Sequence, residues 1–329
     1  MFSSPRAVCV GEGLVVLVGE PGALEDSETF ARSAGGAEAN VARVLVQLGI
    51  STSWVSRVGD DGFGRYLLRQ LGEAGVDVSG VSIDPLRPTG MYVKERGAGS
   101  GIGRDLPLGD SKMTYFRAGS AASALSPGDI PDEPVNLVHF TGITVALSQS
   151  AESMTRSLLA SESTVSFDLN FRPALWGNRI DDAPAILADH VRGSDVVLMG
   201  ADEAGDVFGI DDPGALRAEF PEPRHLVVKN DAHVVTAFDG LSRVDVPALT
   251  LEVVEKIGAG DAFAGGYLAG LMTGLSAVER VRLGHLCAAG ALTAHGDVAE
   301  VPNPTSRAVA LKLSDVEWNV VDFSKLVST

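Results

Sequence analysis

A glycine-rich turn, Gly258-Ala259-Gly260-Asp261-Ala262-Phe263-Ala264-Gly265-Gly266, runs into a stretch dominated by small residues. At a helix start such glycines turn backbone N–H groups outward and the helix dipole adds partial positive charge, so the turn can hold a phosphate or another oxyanion. Asp261 would lie in the first helical turn, where its carboxylate can take the proton of a substrate hydroxyl. The helix N-terminus is expected to favour its ionised form. That makes Asp261 a weak base, which suffices for phosphoryl transfer because that reaction depends mainly on positioning and charge neutralisation. The plain alternative is a capping aspartate after a tight turn.

Two further clusters carry chemistry. Asp168-Leu169-Asn170-Phe171-Arg172 follows an apolar run, which places polar groups at the C-terminal end of a strand. In open parallel sheets ligands bind outside those ends, so Asp168, Asn170 and Arg172 are expected to face the crevice, with Arg172 able to neutralise an anion. A solvated turn with an internal Asp–Arg pair is the alternative. Gly35-Gly36-Ala37-Glu38-Ala39-Asn40 again puts glycines before an amphipathic stretch. The glycine pair permits close approach of a sugar, and the Asn40 amide either bonds sugar hydroxyls or is satisfied inside the core.

The elements that must hold these groups alternate along the chain. Strand-like runs fall at 7–18, 52–58, 137–141, 164–168, 195–198, 225–229 and 234–238. Between them, 37–48, 64–74, 150–159, 182–191, 261–271 and 277–294 show the three- and four-residue spacing of helices. This is the pattern of an α/β protein with a parallel sheet covered on both faces. Residues 76–117 depart from it: two strand-like pieces, 89–94 and 112–117, flank a glycine-rich stretch, 97–109. A small β-flap there leaves an apolar face to be covered, which suggests a lid and a dimer contact.

Composition narrows the function classes. The 329 residues are 45% hydrophobic and 21% charged, enough to bury a sizeable core. There is no internal repeat or Pro-rich linker, so one domain over 1–329 is expected. With 26 Lys and Arg against 43 Asp and Glu, the net charge of −17 repels nucleic acid and anionic membrane. Cys9 and Cys287 stand far apart without metal-ligand spacing, so neither a disulfide framework nor a zinc site is indicated, and a reducing cytoplasm fits. The early apolar run, broken by Glu12 and glycines, reads as a strand and not as a signal segment. His139, His190, His225, His285 and His295 form no metal-ligand pairs and are read as structural.

Taken in order, the three clusters resemble the ribokinase-like (PfkB) carbohydrate kinases over nearly the whole chain. Thr89-Gly90-Met91-Tyr92, the run from Tyr115 to Ser123 and residues 168–172 look most like the 2-keto-3-deoxygluconate kinase branch. The resemblance implies a three-layer α/β/α sandwich with a β-lid from about 12–34 and 86–118, and a homodimer through that lid. It also implies ATP with Mg2+ as co-substrates, with K+ as a further candidate ion, and phosphorylation of a sugar or sugar-acid hydroxyl. Asp261 becomes the catalytic base and the amides of Gly258, Ala259 and Gly260 the anion hole. The sugar falls to Gly35, Gly36, Asn40, Tyr92, Tyr115, Arg117, Ile143, Asp168, Asn170 and Arg172. Lys229 and Asn230, with Gly258 and Gly260, fall to the nucleotide and Glu203 to the metal. Two arginines suit a carboxylate, since a guanidinium grips one bidentately. Tyr92 and Tyr115 can also serve as cross-strand packing in the flap.

The nucleotide side departs from the family pattern. The usual Asn-x-x-Glu is Gly200-Ala201-Asp202-Glu203, so Glu203 remains while Asp202 is left to stand in part for the missing amide. The usual Gly-x-x-Gly after Lys229 is Asn230-Asp231-Ala232-His233, where Asp231 is expected to oppose ATP by bulk and charge. The usual Asp-Thr before the anion hole is Glu255-Lys256, which puts the monovalent-ion site in question. Lys256 is either a cation for the hole or a surface partner of Glu252 or Glu255. Three functions follow as expectations: a sugar-acid kinase, a kinase of another sugar or nucleoside, and a non-catalytic sugar-binding paralogue.

Overall fold

Strands alternate their buried side chains between two separate apolar cores. The computed structural model describes residues 6–131, 134–230, 233–255, 257–293 and 300–324. Asp231, Ala232, Lys256 and His295 lie outside the described residues. The strands are β1 (Arg6–Val10), β2 (Leu14–Pro21), β3 (Phe30–Gly35), β4 (Ser51–Val55), β5 (Arg57–Gly59), β6 (Ser82–Asp84) and β7 (Met91–Arg96). They continue as β8 (Ser111–Phe116), β9 (Leu137–Thr141), β10 (Thr164–Asp168), β11 (Val196–Gly200), β12 (His225–Asn230), β13 (Val234–Asp239) and β14 (Ser242–Pro247).

Among the described residues, eight strands form one sheet in the order β14-β13-β12-β11-β10-β9-β1-β4. Every pairing from β4 to β12 is parallel, and β13 and β14 add an antiparallel edge. In β11, Val196 and Leu198 enter one core while Val197 and Met199 enter the other. That alternation is the period of two expected of a strand buried on both faces. Helices Ala37–Gln47, Gly62–Glu73, Ala259–Met272 and Ala277–Leu292 cover the first face; Gln149–Leu158, Ala183–Arg192 and Ala201–Phe208 cover the second. The result is three layers. No helix among the described residues is long and apolar enough to cross a membrane.

A second sheet, in the order β3-β2-β7-β8, stands apart from the first. It is mixed, with β2 parallel to β7 and the outer pairs antiparallel. The run 7–18, expected as one strand, is therefore two, with β1 in the large sheet and β2 in the small one. The break falls at Gly11-Glu12-Gly13, where both glycines sit against walls that leave no room for a Cβ. A Cβ on Gly13 would lie 2.7 Å from the Trp54 ring, and one on Gly11 would collide with the Glu38 carboxylate. All four strands enter or leave the small sheet at one end, where Leu14 pairs with Gly35, Val15 with Met91 and Met91 with Phe116. Edge strand β14 and the short helices Gly142–Leu147, Ala201–Phe208 and Pro213–Glu219 go beyond the elements read from the sequence.

Candidate active site

A cavity of about 360 Å³ opens between the C-terminal ends of the parallel strands and the small sheet. The large sheet and its helices contribute Gly36, Asn40, Ile143, Asp168, Asn170, Arg172, Glu203, Lys229, Gly258, Gly260 and Asp261, and the small sheet contributes Tyr92, Tyr115 and Arg117. Gly35, Asn230 and Ala259 do not line it. Gly35 ends β3 opposite Leu14, Asn230 ends β12 opposite Val234, and Ala259 is the first residue of its helix. Glu12, Leu14, Ala37, Met113 and Ile257 line it although sequence reasoning did not nominate them. Only Glu12 carried a signal: an acid bracketed by glycines inside an apolar run.

Gly258, with φ of +78°, caps the helix that carries Asp261 in its first turn. This left-handed conformation favours glycine. The Asp261 carboxylate accepts a hydrogen bond from Asn40 Nδ2 at 2.9 Å. Burial pushes its pKa up to about 7, with the charges of Asp168 and Glu38 adding to the rise and the Asn40 bond and Lys229 opposing it. Burial and the neighbouring acids therefore act against the ionised form that the helix N-terminus is expected to favour.

The cations of the cavity are each matched to one carboxylate. Lys229 Nζ donates to Asp168 Oδ2 at 3.0 Å, and Arg172 donates to Glu203 Oε1 at 2.9 Å. Arg117 is ion-paired with Glu12. The alternative of an internal Asp168–Arg172 pair is thus not what the chain forms. Burial works against the Lys229 ammonium, but Asp168 and Glu203 outweigh it and raise the pKa. A Cβ on Gly260 would lie 3.8 Å from Lys229 Nζ, so the ammonium stands beside the glycine turn.

Several buried oxygens at the cavity have no hydrogen-bond partner among the described residues: Asn40 Oδ1, Asp168 Oδ1 and Asn170 Oδ1. Buried polar atoms are ordinarily satisfied, so these acceptors call for donors from a ligand. Asn170 is held at φ of +34°, the single positive value at a non-glycine position among the described residues. Such backbone strain recurs at ligand sites. Tyr92 and Tyr115 are cross-strand neighbours with ring centroids 5.2 Å apart, so packing and cavity lining coexist in them. Below the cavity, Glu38 accepts from Thr141 N at 3.0 Å, Thr141 Oγ1 at 2.7 Å and Thr144 Oγ1 at 2.6 Å, fixing the turn that presents Ile143.

On the nucleotide side, Glu203 accepts from Gly200 N at 3.3 Å. A Cβ on Gly200 would collide with Asp202 Oδ1, so the Asp202 carboxylate fills space that a larger residue 200 would claim. Glu255 is ion-paired with Lys94 of β7, which ties the small sheet to the stretch leading into the glycine turn. Among the described residues no three His, Cys, Asp or Glu side chains gather as a metal-binding group. Glu203 and the free Asp168 Oδ1 are carboxylate oxygens of the kind a hard cation accepts.

The profile of the pfkB family of carbohydrate kinases matches residues 4–304. A 2-dehydro-3-deoxygluconokinase from Thermoproteus tenax is 33% identical, over 93% of this chain and 94% of its own length. A Polaromonas PfkB protein of known structure superposes with a TM-score of 0.80 at 30% identity, covering 94% of this chain and 100% of that one. A Vibrio cholerae fructokinase, solved with fructose, ADP and calcium, superposes with a TM-score of 0.80 at 25% identity over 94% of this chain and 100% of that one.

Proposed function

Because the chain belongs to the pfkB family of carbohydrate kinases, we propose that it transfers the terminal phosphoryl group of ATP to a hydroxyl of a sugar acid, 2-keto-3-deoxygluconate or a close relative. The observation that carries this function is Asp261 in the first turn after the glycine turn, bonded to Asn40 and facing a cavity lined with unsatisfied acceptors. The similarity to a 2-dehydro-3-deoxygluconokinase supports the choice of substrate.

In the reaction the sugar oxygen bonds to the terminal phosphorus of ATP while the bond from that phosphorus to the ADP oxygen breaks, and the hydroxyl proton passes to Asp261. A base with a pKa near the working pH balances availability against proton-transfer driving force. The amides of Gly258 and Gly260, which line the cavity, meet the oxygens in transit, with the Lys229 ammonium beside them. Asn40 and Asn170 meet sugar hydroxyls through the free oxygens on their side chains. Arg172, half exposed and paired with a partly solvated Glu203, is the cation for the sugar carboxylate. Glu203 and Asp168 would hold Mg2+, which supplies charge neutralisation on the phosphate oxygens and keeps most of its waters. A second copy of the chain is the natural cover for the small sheet, whose Phe30 and Phe116 are exposed.

One observation favours a second function, phosphorylation of a neutral sugar. Arg117 and Arg172 already hold carboxylates of the chain itself, which blunts their pull on an acid. A coupled ADP-release screen over 2-keto-3-deoxygluconate, related keto acids, fructose and ribose, with magnesium and potassium present, decides. Turnover with an acid and not with neutral sugars is expected. Turnover with neutral sugars alone establishes the second function, and silence combined with sugar-induced thermal stabilisation establishes a binding protein without catalysis.

A further inference from the structure

Glu12 belongs to neither sheet. It lies in the crossing from β1 to β2, with its side chain 1% exposed, yet it lines the cavity. Bare backbone makes room for it: a Cβ on Gly90 would lie 2.8 Å from Glu12 Oε1, and one on Gly36 would collide with the Glu12 carbonyl oxygen. The carboxylate accepts from Ser120 Oγ at 2.6 Å and is ion-paired with Arg117. Arg117 follows β8, is 11% exposed, and holds its guanidinium 5.6 Å from the centroid of the Tyr115 ring. Burial pushes the Glu12 pKa up, while the Arg117 charge and the bonds from Ser120 and Arg117 draw it down.

A guanidinium stripped of water is a strong attractor of carboxylates, but one already facing a buried carboxylate presents little net charge. Its remaining donors, together with the acceptor oxygens beside them, suit hydroxyl groups, which both donate and accept. We propose that Glu12 is a specificity-determining residue, cancelling the charge of Arg117 so that this end of the cavity reads sugar hydroxyls and leaves recognition of an acid to Arg172. The proposal rests on the kinase function and refines it. It differs from the expectation that both arginines grip the substrate carboxylate.

The test compares kcat/KM for 2-keto-3-deoxygluconate with that for its uncharged primary amide. Glu12→Gln keeps the size of the side chain and an acceptor for Ser120 but leaves Arg117 as a net cation. The acid-to-amide ratio is expected to rise by about tenfold or more, because removing a like charge beside an anion site relieves direct repulsion. An unchanged ratio, or equal losses for both ligands, overturns the proposal. The double variant Glu12→Gln/Arg117→Met removes both charges and leaves no lone buried ion, which covers the case of a single variant that does not fold. Its ratio is expected within about threefold of the unaltered protein, since a cancelled charge is not missed. A tenfold fall in that ratio means Arg117 already acts as a cation and also overturns the proposal. If the unaltered protein turns over no sugar, the kinase function falls and this inference with it. If it turns over the acid and the ratios stay put, only the inference falls.

Discussion

Asn40 and Asp261, 221 positions apart in the chain, meet at 2.9 Å across the seam between two neighbouring helices. The amide donates to the carboxylate, so it holds the oxygen in place and favours its ionised form against a burial that does the opposite.

Asp261→Asn keeps the shape of the side chain and removes its capacity to take a proton. Its kcat in ADP-release assays is expected to fall by about 10²- to 10⁴-fold, the usual span for a general base. Sugar affinity, measured by calorimetry, should change little. A variant that keeps most of its kcat dismisses the catalytic assignment.

The raised pKa of Asp261 predicts a pH profile. Only the ionised form accepts a proton, so kcat/KM should climb with pH through about 7 and level off above. Asn40→Ala deletes a bond that lowers this pKa, which moves the rising limb to higher pH. A limb that stays in place, or shifts to lower pH, contradicts the assignment.

Stability carries the same proton. The folded pKa of about 7 lies above the ordinary 3.8, so the folded chain holds the proton more tightly than the unfolded one. The contribution is complete below the ordinary value and is lost as the pH rises through the folded one. Asp261→Asn, which cannot ionise, should therefore gain in melting temperature over the unaltered protein at pH 8, with the gain shrinking towards pH 5. Equal differences at both ends would show that the buried charge is not a cost of folding.

The two arginines of the cavity differ in what they leave behind. Arg117→Ala strands Glu12 in a site only 1% exposed and should destabilise by about 3–5 kcal/mol in denaturant titrations. Arg172→Ala frees a partly solvated Glu203 from a half-exposed partner and should cost about 0–1 kcal/mol. Comparable losses would mean that the enclosure of Glu12 does not govern its energetics.

How much of this was legible beforehand varies with the range of the forces involved. Strands β9 and β10 match their sequence ranges to the residue, because a run buried on both faces is written in consecutive apolar residues. The glycine turn and its aspartate were likewise legible, since a helix start is a local event. The split between β1 and β2 was not: the apolar pattern continues through it, and the groups that crowd Gly11 and Gly13 there, Glu38 and Trp54, arrive from elsewhere in the chain. The pairings of Arg117 with Glu12 and of Arg172 with Glu203 are equally invisible, as no spacing rule links them. The burial of Asp261 was not legible for the same reason. Its helix dipole is local, whereas the burial and the neighbouring acids that act against it are assembled by the fold.

The small sheet joins the rest of the molecule at the end where its four strands begin or end, and again further out through the ion pair of Lys94 with Glu255. Tyr92 and Tyr115 lie between those two attachments, so the ring pair lining the cavity is braced from both sides.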